Sequence, residues 1–455
     1  MRNSITTRTA WDENGRCHVG TLSYTKAALV TLFVWMLWGD FCFWMMETLT
    51  PTLLPLMLKG HGASNTVIGL LVGSIPSLLN FIINPIVSTA SDRTRTKLGR
   101  RIPFLLGATP FVTLFLILLG WSDSIGAWFH GLFHNGDESP AGTIIVLITL
   151  LSVAYQVFNL FIASIFYYLF ADVVPKQFLG RFMALFRVVG TCAGFVFNLA
   201  VLPHADEHLP WIFTIVALIY LVSFSLMCVN VKEGNYPPPE KIRTRGPVGI
   251  IMQYTRECFC IPFFLVFFLA MALNQASMVC RTVFNLLFAT AELQMTLKQY
   301  GFITAAATGI TIPLFFLTGI LVDKFHPIRI YMAGSVLIII ANVIGFFWVH
   351  DYLSFSVVAI LLALVYMLQT ASSLPLYVML VPHDRYGQFS SASAMVCALM
   401  LVAANSGGGW FIDQFGYQYI YAWDFLFTSI GLGALCWVYL RWKALGGDDA
   451  YTPPV

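Results

Sequence analysis

Twelve apolar runs, each of about twenty residues or more, occupy most of this 455-residue chain. They fall near 27–57, 64–90, 103–121, 142–170, 182–203, 210–230, 260–289, 299–322, 328–349, 353–380, 389–412 and 420–441. That length is what a helix needs to cross a bilayer, and the runs lack the alternating pattern of a membrane barrel. Composition excludes most other classes. Only 10% of the residues are charged, against about 25% in soluble domains. Apolar residues make up 58% and aromatics 15%, so charge is too scarce to cover a soluble globule. Disordered, fibrous and nucleic-acid-binding chains need polar or basic tracts that are missing here. A net charge of +3 is too small to call for a polyanionic partner. The expectation is an all-α integral membrane protein of twelve transmembrane helices, a multi-pass protein of the cell (plasma or inner) membrane.

Basic residues give the orientation. With the N-terminus inside, 22 of the 25 Lys and Arg fall in cytoplasmic segments. Lys59 and Lys298 lie outside, and Arg281 lies within a span. The asymmetry follows the positive-inside rule and predicts both termini in the cytoplasm. The first 26 residues are polar and carry no apolar core of a cleavable signal, so the first span is expected to be retained. The nine cysteines are scattered, mostly in apolar runs, and read as packed small hydrophobes.

The longest cytoplasmic connection, 231–259, contains Pro237-Pro238-Pro239 with Lys241, Arg243 and Arg245. It divides the chain into a tail (1–26), a six-helix bundle (27–230), this linker, a second six-helix bundle (260–441) and a C-terminal tail (442–455). The halves echo each other. Asp92-Arg93 after span 2 has a counterpart in Asp323-Lys324 after span 8. Val174-Pro175 with Gly180-Arg181-Phe182 after span 4 has one in Val381-Pro382 with Gly387-Gln388-Phe389 after span 10. Two pseudo-symmetric bundles with a site between them at mid-membrane are one of the main transporter plans.

The loop Ser91-Asp92-Arg93-Thr94-Arg95-Thr96-Lys97-Leu98-Gly99-Arg100-Arg101-Ile102-Pro103 resembles the loop signature of the major facilitator superfamily. Its form is most similar to the glycoside–pentoside–hexuronide symporters and the related sucrose–proton symporter-like group. The loop also has a direct physical reading. Asp92 faces five basic residues within ten positions, with Asp172 at the end of span 4 the nearest other carboxylate. Ion pairs among Asp92, Arg93, Arg100, Arg101, Asp172, Arg181 and Asp323 are expected to latch the cytoplasmic side in one state and release it in the other. A purely topological role for the basic cluster is the simpler alternative.

An ionisable residue in hydrocarbon is costly and so points to function. Asp40 and Glu47 lie in span 1 and Arg281 in span 7, and Arg187, counted above with the cytoplasmic segments, lies six residues past Arg181 in span 5. Seven residues put Asp40 and Glu47 about 20° apart around one helix and roughly 10 Å apart along it. Both acids and Trp44 therefore share a stripe, suited to binding hydroxyls and to holding a proton. Asn274 and Arg281 repeat that spacing in span 7, the counterpart of span 1. Glu47 and Arg281 are accordingly expected to pair across the cavity, with Arg281 snorkelling outward as the alternative. The resemblance implies more. Gly39-Asp40-Phe41 looks like the sugar-binding carboxylate position of melibiose-type symporters. That family's paired cation-binding aspartates fall at Asn80 and Asn84, and its span 4 aspartate and tryptophan at Ser164 and Tyr168. Neutral Asn at both positions argues against a sodium site there and for protons on Asp40 or Glu47, or for no coupling.

Sugars need hydrogen bonds in several directions and an aromatic face. Asn80, Asn84, Gln156, Asn159, Tyr168, Asn274 and Gln369, with Asp40 and Trp44, are the expected substrate-binding set. Asp40, Glu47 and Arg281 are the expected coupling set. For any single amide, a helix–helix hydrogen bond is the plainer reading. His130, His134, Asp137 and Glu138 read as a solvated loop, not a metal site. No cofactor, metal or phosphate-binding loop is indicated, and no catalytic cluster of an enzyme. The sequence reads as a monomeric carrier of a sugar or glycoside working by alternating access with a coupling proton. A facilitator or exporter of another small organic solute is the rival within transport.

Overall fold

The computed structural model describes residues 12, 15–19, 21–133, 139–234, 258–382 and 385–454. The prolines and basic residues of the linker at 237–256, and His134, Asp137 and Glu138, lie outside these residues.

The twelve expected runs are all helical. Span 1 is Lys26–Gly60, span 3 Ile102–Gly120, span 4 Ala141–Val173 and span 6 Ala205–Asn230. Spans 8 to 12 are Leu297–Lys324, Pro327–Trp348, Tyr352–Leu380, Tyr386–Phe415 and Ile420–Ala444. Spans 2, 5 and 7 each contain a π-helical turn, at Leu70–Ser74, Phe197–Val201 and Phe288–Glu292. Among the described residues, ten helical segments are long and apolar enough to cross a membrane; one of these, Leu185–Asn230, carries spans 5 and 6 together, and span 8, Leu297–Lys324, is not among the ten. The starts are encoded locally. Thr25, Ser64, Thr296 and Asp351 cap spans 1, 2, 8 and 10 through their side-chain oxygens, supplying acceptors for N–H groups that lack a partner within the helix.

Two elements go beyond the sequence reading. A hairpin pairs Cys17–Val19 with Leu22–Tyr24 ahead of span 1. A helix, Ser122–Phe133, occupies the loop after span 3. Three-residue strands and a twelve-residue helix are too short to stand out from loop by periodicity.

Where the halves meet explains the architecture. Apolar burial runs without a break from the first half into the ends of spans 7 to 12 farthest from the linker. The linker end of the second half has a core of its own, built on Phe264, Phe268, Phe389 and Trp442. The halves are thus joined at one end, here called the gate end. Span 2 meets span 11 there, and span 5 meets span 8. Small residues permit the approach. A Cβ on Gly69 would stand 2.2 Å from the Asn405 carbonyl oxygen, one on Gly409 2.3 Å from that of Asn65, and one on Gly301 2.2 Å from that of Asn198. Such small-residue contacts are how helices associate where lipid gives no hydrophobic drive.

Polar bonds complete the seal. Asp413, at the end of span 11, accepts from the backbone N–H of Asn65 (2.9 Å) and Thr66 (2.8 Å) and from the Thr66 hydroxyl (2.7 Å). A carboxylate on the unpaired N–H groups that open a helix is favoured by hydrogen bonding and by the helix dipole. Tyr417 donates to Asn65 Oδ1 at 2.7 Å, and Ser74 Oγ lies 2.7 Å from Ser406 Oγ. Gly69→Val is expected to hold this end apart. Overpacking of that kind costs about 1–3 kcal/mol, roughly five- to a hundredfold in the closed population. Disulfide formation between cysteines placed at Ser74 and Ser406 measures it.

Candidate functional site

Span 1 carries three of the candidate side chains of the first half, Asp40, Trp44 and Glu47. Asp40 is fully buried, and neither carboxyl oxygen has a hydrogen-bond partner. The indole of Trp44, one turn on, is near but outside bonding geometry. Trp44 lines a cavity of about 370 Å³ with Tyr167, Met183, Phe186, Arg187, Gly190 and Thr191. Arg187 is exposed to this space. A guanidinium, aromatic faces and hydroxyls from spans 1, 4 and 5 line this space, and the buried Asp40 carboxyl lies one helical turn from Trp44 without lining it. An unpartnered buried carboxyl is completed by a proton, a cation or a ligand's donor groups.

Glu47 turns into a different space. Asn159 of span 4 donates to its Oε1 at 2.5 Å. A cavity of about 160 Å³ beside it is lined by Thr50, Ser152, Tyr155 and Gln156, with span 2 as its apolar wall. Glu47 therefore faces the interior of the first bundle.

Arg281 corrects one expectation. Its partner is not Glu47 but Asp424 of span 12, whose Oδ2 accepts from Nε at 3.3 Å and Nη2 at 3.2 Å. Nη2 also donates to Asn342 Oδ1 at 2.7 Å. The Tyr366 hydroxyl donates to Asp424 Oδ2, Thr428 donates to its Oδ1 at 3.2 Å, and the Tyr421 ring lies 5.1 Å from the guanidinium. Spans 7, 9, 10 and 12 are pinned together by one satisfied pair. The sequence did hold a signal, since Asp424 falls four residues inside its apolar run with Thr428 one turn on.

The remaining expected residues separate into groups. Asn80 is exposed, and Asn84 accepts from the Tyr168 hydroxyl at 3.4 Å. The Tyr168 ring in turn stands 5.1 Å from the Arg101 guanidinium, which ties this pair to the linker end. Gln156 lines the Glu47 cavity and not the Trp44 one. Asn274 and Gln369 are buried within the second bundle, Gln369 donating to Ser335 at 2.8 Å. They do not join Asp40 and Trp44.

At the linker end, Arg100 and Arg101 both bind Asp172, with Nε–Oδ2 distances of 2.9 and 3.1 Å, and Arg101 also reaches Ser91. Glu233, just past span 6, accepts the backbone N–H groups of Arg100, Arg101 and Ile102 at 3.0, 2.8 and 2.7 Å. The signature loop, span 4 and span 6 are thereby fastened within one half. Arg93 is exposed. The side chains of Asp92, Arg181 and Asp323 lie outside the described residues. Glu233 was not expected, because a lone acid beside a basic linker looks solvated.

The chain belongs to the Major Facilitator Superfamily, which residues 36–404 match. It is a multi-pass membrane transporter and not an enzyme. A general alpha-glucoside permease of Schizosaccharomyces pombe is 28% identical over 188 residues, 39% of this chain and 32% of the permease. The match thus spans about a third of that relative's length. Among solved structures, a bacterial homologue of the human lysosomal transporter Spinster, inward-facing and occupied, superposes with a TM-score of 0.70. Its identity is 12%, and 95% of this chain and 100% of that one are covered. A D-xylose–proton symporter gives a TM-score of 0.63 at 12% identity, covering 90% of this chain and 96% of that one.

Asp424→Asn leaves Arg281 buried with half its partner. Breaking a buried pair costs about 3–5 kcal/mol, so the melting temperature in detergent should fall clearly. Removing both charges in Asp424→Asn/Arg281→Met should recover part of the loss. A single mutant as stable as the parent contradicts the pinning role.

Proposed function

We propose that this protein is a secondary active carrier of a sugar or glycoside, working by alternating access with proton coupling. The observation that carries the reading is Asp40, a fully buried carboxyl without a partner, behind a cavity that offers Trp44, Tyr167, Arg187 and Thr191. A sugar supplies what this arrangement lacks, namely hydroxyl donors for the carboxyl and a flat face for the indole. Arg187 adds a fixed donor fork that can hold ring or hydroxyl oxygens. The S. pombe permease and the xylose–proton symporter support sugar as the cargo class.

In this reading the gate end faces out and the linker end faces the cytoplasm, as the basic residues argue. The gate-end contacts between spans 2 and 11 and between spans 5 and 8 close the outer side. The pairs of Asp172 with Arg100 and Arg101 then fasten the cytoplasmic side of the first half while the second half moves. Asp40 serves the cargo, and Asp40 and Glu47 are the groups that can take a proton. Arg281 with Asp424 holds the second bundle rigid, a change from the coupling role expected for it.

Uptake into proteoliposomes tests this across a panel of α- and β-glycosides, with and without an inwardly directed proton gradient. The gradient should drive accumulation of at least one glycoside. Asp40→Asn should lower uptake about tenfold or more, the loss of one charge-assisted contact. Uptake indifferent to the gradient removes symport and leaves a facilitator. Failure of every glycoside removes sugar as cargo.

A further inference from the structure

A cavity of about 750 Å³ lies between spans 1, 5 and 6 and has no part in the cargo site. It shares no lining residue with the Trp44 cavity. Its volume falls within the range of small-molecule sites, about 300–1,000 Å³. One side of it is open. Trp211, Ile215 and Ile219 recur at helical spacing on span 6 and are 57%, 53% and 49% exposed. Trp38 of span 1, also lining the cavity, is exposed with them. An open apolar face on a membrane-spanning helix meets lipid, so the occupant comes from the bilayer.

The length of the groove sets the size of that occupant. His204 and His208 stand at its gate end and Ile219 at the other. Eleven residues from His208 to Ile219 are about 16 Å of helix. That is half of a hydrocarbon core roughly 30 Å thick, the depth of one leaflet. The walls distinguish one kind of lipid from another. Trp38 and Phe41 stack with ring centroids 6.0 Å apart and planes within 14°, a flat wall from span 1. Span 6 contributes the branched side chains of Ile212, Ile215, Val216 and Ile219, a ridged wall. A sterol has the matching faces, one flat and one bearing methyl groups. Its fused rings also enter with few torsions to freeze, whereas an acyl chain loses many.

The rim favours a hydroxyl over a charged headgroup. Among the described residues, no Lys, Arg, Asp or Glu lines the cavity. His204 Nδ1 lies 3.2 Å from the Ala200 carbonyl oxygen and donates to it. The neutral ring then presents Nε2 as an acceptor for a hydroxyl proton. His208 adds a second imidazole. Asp206 and Glu207 are exposed between the two in sequence, and Glu207 Oε2 lies 3.9 Å from His208 Nε2. Two acids beside the rim repel a phosphate and leave a neutral hydroxyl unaffected.

We propose that the groove between spans 1, 5 and 6 binds one sterol-class lipid. Its fused rings lie between the Trp38–Phe41 stack and the isoleucines of span 6, and its hydroxyl bonds the histidines of the rim. The site needs the chain in a bilayer and is independent of the cargo.

The test uses the full-length protein in phosphatidylcholine liposomes, irradiated with a cholesterol analogue that carries a diazirine on its ring system. Adducts are mapped by mass spectrometry of peptides. Labelling should saturate and concentrate on the segments 38–45 and 211–219. Unlabelled cholesterol should displace it, and phosphatidylglycerol at the same excess should not. Ile215→Trp fills the groove from its open side and should cut labelling about tenfold or more. His204→Phe/His208→Phe keeps the bulk and removes the nitrogens, and should raise the half-saturating concentration about two- to tenfold. Labelling that does not saturate, or that spreads evenly over the exposed faces of other spans, overturns the proposal. So does equal displacement by phosphatidylglycerol, and so does labelling unmoved by Ile215→Trp or by the histidine pair. If Ile215→Trp does not assemble, Ile219→Trp on the same exposed face gives the reading, with the same outcomes. A carrier of another cargo still passes this test, so the two readings fail separately.

Discussion

A bilayer offers no partner to a buried charge, and the rest of this structure follows from how each half meets that constraint. The second half meets it internally. Arg281 and Asp424 neutralise each other, and Asn342, Tyr366 and Thr428 take up donors and acceptors around them. That half is closed around its charges. The first half leaves Asp40 without a partner and gives Glu47 one amide and a small cavity. Its polar interior is incomplete, and incompleteness of this kind is where ligands bind.

The two ends of the molecule divide the labour in a similar way. At the gate end the halves touch through backbone, glycine and a few short hydrogen bonds, with Asp413 clasping the start of span 2. Many modest contacts close such a surface, and each is broken by a small displacement. At the linker end, the bonds of Arg100 and Arg101 to Asp172, and of the loop backbone to Glu233, stay within one bundle. They stiffen a rigid body that can rock. Bistable packing of rigid bodies is the usual basis of such transitions.

Much of this was legible in the sequence. Each of the twelve apolar runs is helical, because length and hydropathy carry most of that signal. The signature loop gave the family and the Arg100–Arg101–Asp172 cluster, because charges packed into ten positions must find partners nearby. Asp40 and Glu47 stood out as acids in hydrocarbon. The misses share a cause. Asp424 was not singled out, and Arg281 was matched to Glu47 by repeat symmetry, which carries no information on which side chain is nearer. The gate was invisible, since Gly69, Gly301 and Gly409 announce only close packing and not with what. Gln156, Asn274 and Gln369 were grouped with the cargo site by depth, but direction around a helix decides which cavity a side chain meets.

Alternating access is the claim on which the account stands, and reciprocal motion of the two ends tests it most directly. Spin labels at His61 and Lys298 report the gate end, and labels at Lys97 and Lys324 report the linker end. On addition of a transported glycoside, pulsed dipolar spectroscopy should show one distance distribution shifting longer as the other shifts shorter. Distributions that stay fixed, or that lengthen together, would contradict the account.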